Sequence, residues 1–161
     1  MDKIDSLNQV AEFHQTFQHP IKENPAIPSP VRCELRVSLI AEELDELKQA
    51  IEDKDMVEIA DALCDIQYVL SGAVLEFGLG EQFVTLFNEV QRSNMSKSCA
   101  TEEEAQATVD FYQREKNTPC YYKQVDGKYL VFRTGDNKTL KSVNYSPADL
   151  KSILERDAVE N

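Results

Sequence analysis

Six carboxylates carry the chemistry open to this chain: Glu42, Glu43 and Glu46 in one stretch, then Glu58, Asp61 and Asp65 in the next. Within each group the spacings are one, three or four residues, so on a helix each group occupies one flank. Brought face to face, like charges repel by roughly 1 kcal/mol per pair in water and several times that when desolvated. Such a cluster needs cations or bound protons, and a divalent metal is the simplest supply. All-oxygen ligation suits Mg²⁺ or Mn²⁺, whereas zinc would call for His or Cys at ligand spacing.

Two helices must position these groups. Helix formers fill residues 39–70 without Gly or Pro, and Glu52-Asp53-Lys54-Asp55 makes a polar break between two apolar-periodic runs. Val37, Ile40, Leu44, Leu47 and Ile51 form one stripe and Ile59, Leu63, Ile66 and Leu70 the other. Leu35 and Leu39 fall in the arc that carries Glu42, Glu43 and Glu46, so that acidic face is expected to be partly covered. An antiparallel hairpin about Lys54 sets Glu46 level with Asp61 or its neighbour, and Glu42 and Glu43 level with Asp65. The plainer alternative is an ordinary solvated helix face, with Asp55-x-x-Glu58 serving only as a capping box.

Glu42-Glu43-x-x-Glu46 followed by Glu58-x-x-Asp61 resembles the ExxE and ExxD motif pair of the all-α nucleoside triphosphate pyrophosphohydrolases. That MazG-like superfamily includes phosphoribosyl-ATP pyrophosphohydrolases and dimeric dUTPases. The resemblance covers roughly residues 4–97, and the eleven residues between Glu46 and Glu58 are at the short end for it. It implies a mainly α fold, a bundle of about four to five helices built on the hairpin. It also implies Mg²⁺, with Mn²⁺ as a substitute, held by Glu43, Glu46, Glu58, Asp61 and Asp65, and catalytic roles for Glu42 and Glu43. Glu42 or Asp65 would be a further ligand or the general base. Asn94 and Lys97, an Asn-x-x-Lys pair after the fourth helix, are similar in place to residues that contact the nucleotide and its phosphates. By physics alone, residues 92–97 are a polar helix end whose cations suit the negative end of the dipole.

The remaining chain is ordinary for a globular protein: 161 residues, 42% hydrophobic and 29% charged. A net charge of −12 argues against a nucleic-acid partner, which would need basic surface, but not against a nucleotide enzyme whose metal meets the phosphates. No apolar run is long enough for a membrane span and residues 1–6 lack signal-peptide form, so a cytoplasmic location is expected. Cys33, Cys64, Cys99 and Cys120 show no CxxC spacing and read as reduced thiols.

Periodicity predicts a first helix over residues 2–18, and the prolines of residues 19–30 predict a loop placed to border a nucleotide-base pocket. His14 and His19 are assigned no chemistry. Gly78-Leu79-Gly80 ends the hairpin, a fourth helix is expected over 81–91, and Thr101 caps a fifth running to about Lys116. Strands are expected at 120–124, 128–133 and 139–143, followed by a short helix opened by Ser146-Pro147. The chain thus divides into an all-α pyrophosphohydrolase domain, 1–117, and a small β-meander appendage with a terminal helix, 118–161. Lys123, Lys128, Arg133, Lys138 and Lys141 make the appendage basic, for phosphate contact or for charge complementarity to the helical part.

These readings converge on metal-dependent hydrolysis of a nucleoside triphosphate to the monophosphate and pyrophosphate, a nucleotide-pool house-cleaning role. The alternative is a non-catalytic helical oligomeric binding protein that holds a structural or regulatory divalent cation. A hairpin with one apolar face and one mixed face needs cover on both, so a homodimer or dimer of dimers is expected.

Overall fold

The computed structural model describes residues 4–156, and side chains through residue 155. Residues 2 and 3 of the expected first helix, and residues 157–161, lie outside the described part. The chain forms two compact units divided between Phe83 and Val84.

In the first unit, α1 (Ser6–Thr16), α2 (Pro30–Asp53) and α3 (Met56–Glu76) follow in order, and α3 packs against both others. Pro30 begins α2 at a position where a missing N–H costs nothing. The turn between α2 and α3 is a single left-handed residue, Lys54 at φ 58°, whose N–H closes onto the carbonyls of Ala50 and Ile51. Asp55 then caps α3, its carboxylate accepting from the N–H groups of Val57 and Glu58. The acidic hairpin therefore folds antiparallel, as its periodicity predicts.

The C-terminus of α3 anchors the loop of residues 17–29. Lys22 N–H donates to Leu75 O and Ala26 N–H to Phe77 O, each at 3.0 Å, so the proline-rich segment satisfies carbonyls the helix end leaves open. Gly78, at φ +71°, lets the backbones meet: a Cβ there would stand 2.0 Å from Asn24 O.

The two apolar stripes are only half used. Ile40, Leu47, Ile59 and Ile66 are half-buried, but Val37, Leu44 and Ile51, and Leu63 and Leu70 opposite, stay 40–69% exposed. They recur at intervals of seven along each helix and form an uncovered seam, because a two-helix layer with α1 on one side buries only one side.

The second unit holds α4 (Phe83–Met95), α5 (Glu102–Glu115), the strands β1 (Cys120–Val125) and β2 (Lys128–Arg133), and α6 (Leu150–Arg156); α5 packs on both strands around a small core of Cys99, Ala105, Val109, Cys120, Val131 and Leu140. Helix α4 runs four residues beyond the expected end at 91, where Arg92 reaches back to Glu89. Thr101 caps α5 through Glu104 N–H as expected. The strands pair antiparallel from Cys120 opposite Arg133 to Val125 opposite Lys128, and Asp126 and Gly127, both at positive φ, make the two-residue turn.

Two details differ from expectation. The third strand is reduced to one bridge at Thr139 and the Leu140 N–H to Val131 O bond, since Ser142 N–H goes to Lys97 O and Val143 N–H to Thr108 Oγ1. The last helix begins at Leu150 with Asp149 accepting from Ser152 N–H; Ser146 is instead held by Ser96 and Arg92. All four cysteines are free, as expected, Cys64 on the surface and Cys99 and Cys120 buried. Of the basic residues on the appendage, Arg133 pairs with Asp136, Lys123 lies over the Phe132 ring and Lys141 over Tyr145. No helix among the described residues is long and apolar enough to cross a membrane.

Candidate active site

Helix α2 presents Glu42, Glu43 and Glu46, and α3 presents Glu58, Asp61 and Asp65. Glu43 is half-buried, and its carboxyl is pushed above the ordinary carboxylate range, first by burial and then by the charges of Asp65, Glu46, Glu42 and Asp61 in that order. The hairpin thus brings five carboxylates into one electrostatic neighbourhood, with Asp65 acting most strongly across the helix pair. Glu58 is not among the charges acting on Glu43; it sits exposed in the first turn of α3, three residues before Asp61. A capping box does not account for it, because Asp55 N–H, which Glu58 would have to bind, donates to Ala50 O at 3.0 Å.

None of the six carboxylates has an ion-pair partner among the described residues, and Lys48 is spent on Asp45. As the side chains stand, no three His, Cys, Asp or Glu among the described residues are gathered closely enough to hold a metal ion.

Beyond them, along the same groove, lies a cavity of about 230 Å³ that the periodicity gave no hint of. Leu39 and Leu35 lie one and two turns before Glu43 on α2, and Val69 lies one turn after Asp65 on α3. Phe13 and Tyr68 meet edge to face at 5.6 Å, and His19 stacks on Phe13 at 5.7 Å, which gives the cavity an aromatic wall. His19, from the loop after α1, lines this cavity.

The far end is polar and was not foreseen. Glu76 is 1% exposed and holds two guanidinium groups: Arg32 Nε donates to Oε1 at 2.5 Å and Nη2 to Oε2 at 3.0 Å, and Arg36 Nε donates to Oε2 at 2.5 Å. Burial alone would raise the Glu76 carboxyl, yet the two arginines hold it below the ordinary range. The signals available were the Arg32 and Arg36 pair one turn apart and a lone Glu in the apolar run of residues 69–79, which demands a partner.

His14, assigned no chemistry from sequence, is buried beside them. Pro20 O can only accept, so the proton of the neutral ring sits on Nδ1, at 2.9 Å, and Nε2 accepts from Arg36 Nη2 at 3.3 Å. Burial lowers its pKa, the Pro20 bond opposes, and the charges of Arg36 and His19 lower it further. A depressed histidine contributes stability that is fully present above its unfolded value of 6.5 and is lost as pH falls below it. Glu43 has the opposite sign: its raised pKa favours the fold as pH falls. Lowering the pH from about 7.5 to about 5.5 is therefore expected to lower the melting temperature by a margin that shrinks in His14→Asn, which isolates the histidine's share.

Asn94 and Lys97 belong to the second unit, at the end of α4, where Lys97 Nζ donates to Asn94 Oδ1 at 2.8 Å. The structure pairs them with each other.

Comparison with known proteins gives two matches. Uncharacterized protein L479 of Acanthamoeba polyphaga mimivirus is 23% identical over an alignment of 244 positions, gaps included, that spans 96% of this chain and 97% of that protein. The family model of phosphoribosyl-ATP pyrophosphohydrolase matches residues 10–94, more than half of the chain, and takes in the six carboxylates, the aromatic wall and the Glu76 ion triad. The chain belongs to the phosphoribosyl-ATP pyrophosphohydrolase family, an all-α group of the MazG-like superfamily that hydrolyses a pyrophosphate bond of a nucleotide.

Proposed function

We propose that this protein is a Mg²⁺-dependent hydrolase that cleaves a nucleoside triphosphate between the α and β phosphates, giving the monophosphate and pyrophosphate. One observation carries the reading: six carboxylates have no cation partner among the described residues, five of them share one electrostatic neighbourhood, and the nearest, Glu43 and Asp65, stand one helical turn from Leu39 and Val69 of the cavity. The cavity is smaller than the roughly 300–1,000 Å³ of sites for drug-sized ligands, so it suits a planar base and leaves sugar and phosphates at the acids.

The all-oxygen donor set fits a hard cation, and Glu43, Glu46, Glu58 and Asp61 would hold it. When bound, Mg²⁺ supplies charge neutralisation at the phosphate oxygens and a more acidic water. The chain's own part is to gather ligands from two helices, orient the phosphates by fixing the base in the cavity, and take the water's proton on a carboxylate, Glu42 or Asp65. Titration calorimetry with a non-hydrolysable triphosphate tests this: binding that requires Mg²⁺ is the expected result, and equal binding with EDTA would refute it.

The exposed seam of Val37, Leu44, Ile51, Leu63 and Leu70 supports a homodimer in which two hairpins pack together. Leu44→Glu combined with Leu63→Glu is expected to convert a dimer to a monomer in light scattering. A wild type already monomeric at tens of micromolar, where a stable homodimer would persist, would overturn the assembly.

A further inference from the structure

Arg36 is 7% exposed, and while its Nε and Nη2 are engaged by Glu76 and His14, its Nη1 has no hydrogen-bond partner among the described residues. Arg36 lines the cavity, and the room for its Nη1 comes from Gly72: a Cβ there would stand 2.7 Å from that nitrogen. A guanidinium held at both other nitrogens and left open at the third is placed to meet an acceptor. Arg32 joins it at this end with an Nη1 that is likewise unpartnered among the described residues.

The position along the groove says which atoms arrive there. Arg36 lies seven residues before Glu43 on α2, and Gly72 seven after Asp65 on α3, so both are about 10 Å along the helix axes from the acids. With the α phosphate at the carboxylates, that span places the edge of the base farthest from the sugar at Arg36, the edge that carries position 4 of a pyrimidine or position 6 of a purine. His19 and Tyr68, which can donate or accept, belong to the aromatic wall that faces the ring. His14 Nε2 is occupied by Arg36. The open positions of Arg36 and Arg32 are donors, and His19 stands beside them with its ring 5.4 Å from that of His14.

We propose that Arg36 is a specificity-determining residue that selects bases with a carbonyl at that distal edge, uracil, thymine or hypoxanthine types, over those with an amine there. The inference rests on the proposed function, since it assumes that the phosphates sit at the acids. An amine in that place would set donor against donor in a buried site, and sites built around one hydrogen-bonding pattern discriminate strongly against its loss.

The test compares kcat/KM for pyrophosphate release from matched pairs, uridine against cytidine and inosine against adenosine triphosphates, in either sugar series. The carbonyl member is expected to be preferred about tenfold or more in both pairs. Arg36→Lys keeps the charge beside Glu76 but removes Nη1, and Gly72→Ala displaces Nη1 while leaving the arginine, so each is expected to bring the preference to within about threefold. Thermal melts identify a variant that fails to fold, in which case the other decides. Equal or inverted preference in the wild type overturns the inference while the hydrolase reading stands. Preference unchanged in a folded variant overturns the role of Arg36. No release from any triphosphate overturns the hydrolase reading and this inference with it.

Discussion

Glu46→Gln and Asp61→Asn are each expected to lower pyrophosphate release at least about a hundredfold, because a lost ligand weakens metal charge stabilisation worth several kcal/mol of barrier. The accompanying change in stability is the more diagnostic part. Glu42, Glu43, Glu46, Asp61 and Asp65 repel one another without a cation, which burial and these neighbours register at Glu43. Removing one charge with little change of shape therefore leaves the metal-free fold equally or more stable. Mg²⁺ should stabilise the wild type by mass action, roughly 2.7 kcal/mol at a hundredfold excess over its dissociation constant, and the variants by less. An ordinary solvated helix face predicts changes within about 0.5 kcal/mol and unaltered activity. Melting curves of all three proteins, with EDTA and with excess Mg²⁺, separate the two.

Glu76→Gln is expected to do the reverse to the fold. It also removes one negative charge from a helix of the same hairpin, but this one is 1% exposed and neutralises Arg32 and Arg36. Leaving the buried Arg36 guanidinium uncompensated costs about 3–5 kcal/mol, a large part of a small domain's stability. The pH dependence follows: a carboxyl held below its unfolded value of 4.5 contributes stability present above that value and lost as pH falls through the folded one. Urea denaturation at neutral pH measures the loss; a change under about 1 kcal/mol would show that the triad does not hold the groove together. Acidic residues thus act with opposite sign along one pair of helices, according to whether a cation is built in.

The hairpin was legible because its information is local. Apolar residues at three- and four-residue intervals, a polar break and an Asp at the start of α3 each specify backbone within one or two turns. The same holds for Thr101 before α5 and Asp126-Gly127 between the strands. The cavity was not legible, because it draws His14 from α1, Arg36 from α2 and Gly72 from α3, joined only when the helices pack. Ser146-Pro147 misled because a good capping pair can be claimed by tertiary partners, here Ser96 and Arg92. The apolar stripes through Leu44 and Leu63 were legible as stripes, but not that these two residues stay 46% and 53% exposed, because what covers a helix face is not encoded in its own periodicity.

Phosphorus NMR of the reaction mixture tests the central claim most directly, because it identifies which phosphate bond breaks. With Mg²⁺ and a nucleoside triphosphate, the account predicts resonances of the monophosphate and pyrophosphate growing together in equal amounts, and none with EDTA. Diphosphate and inorganic phosphate as the products, or the same turnover in EDTA, would contradict it.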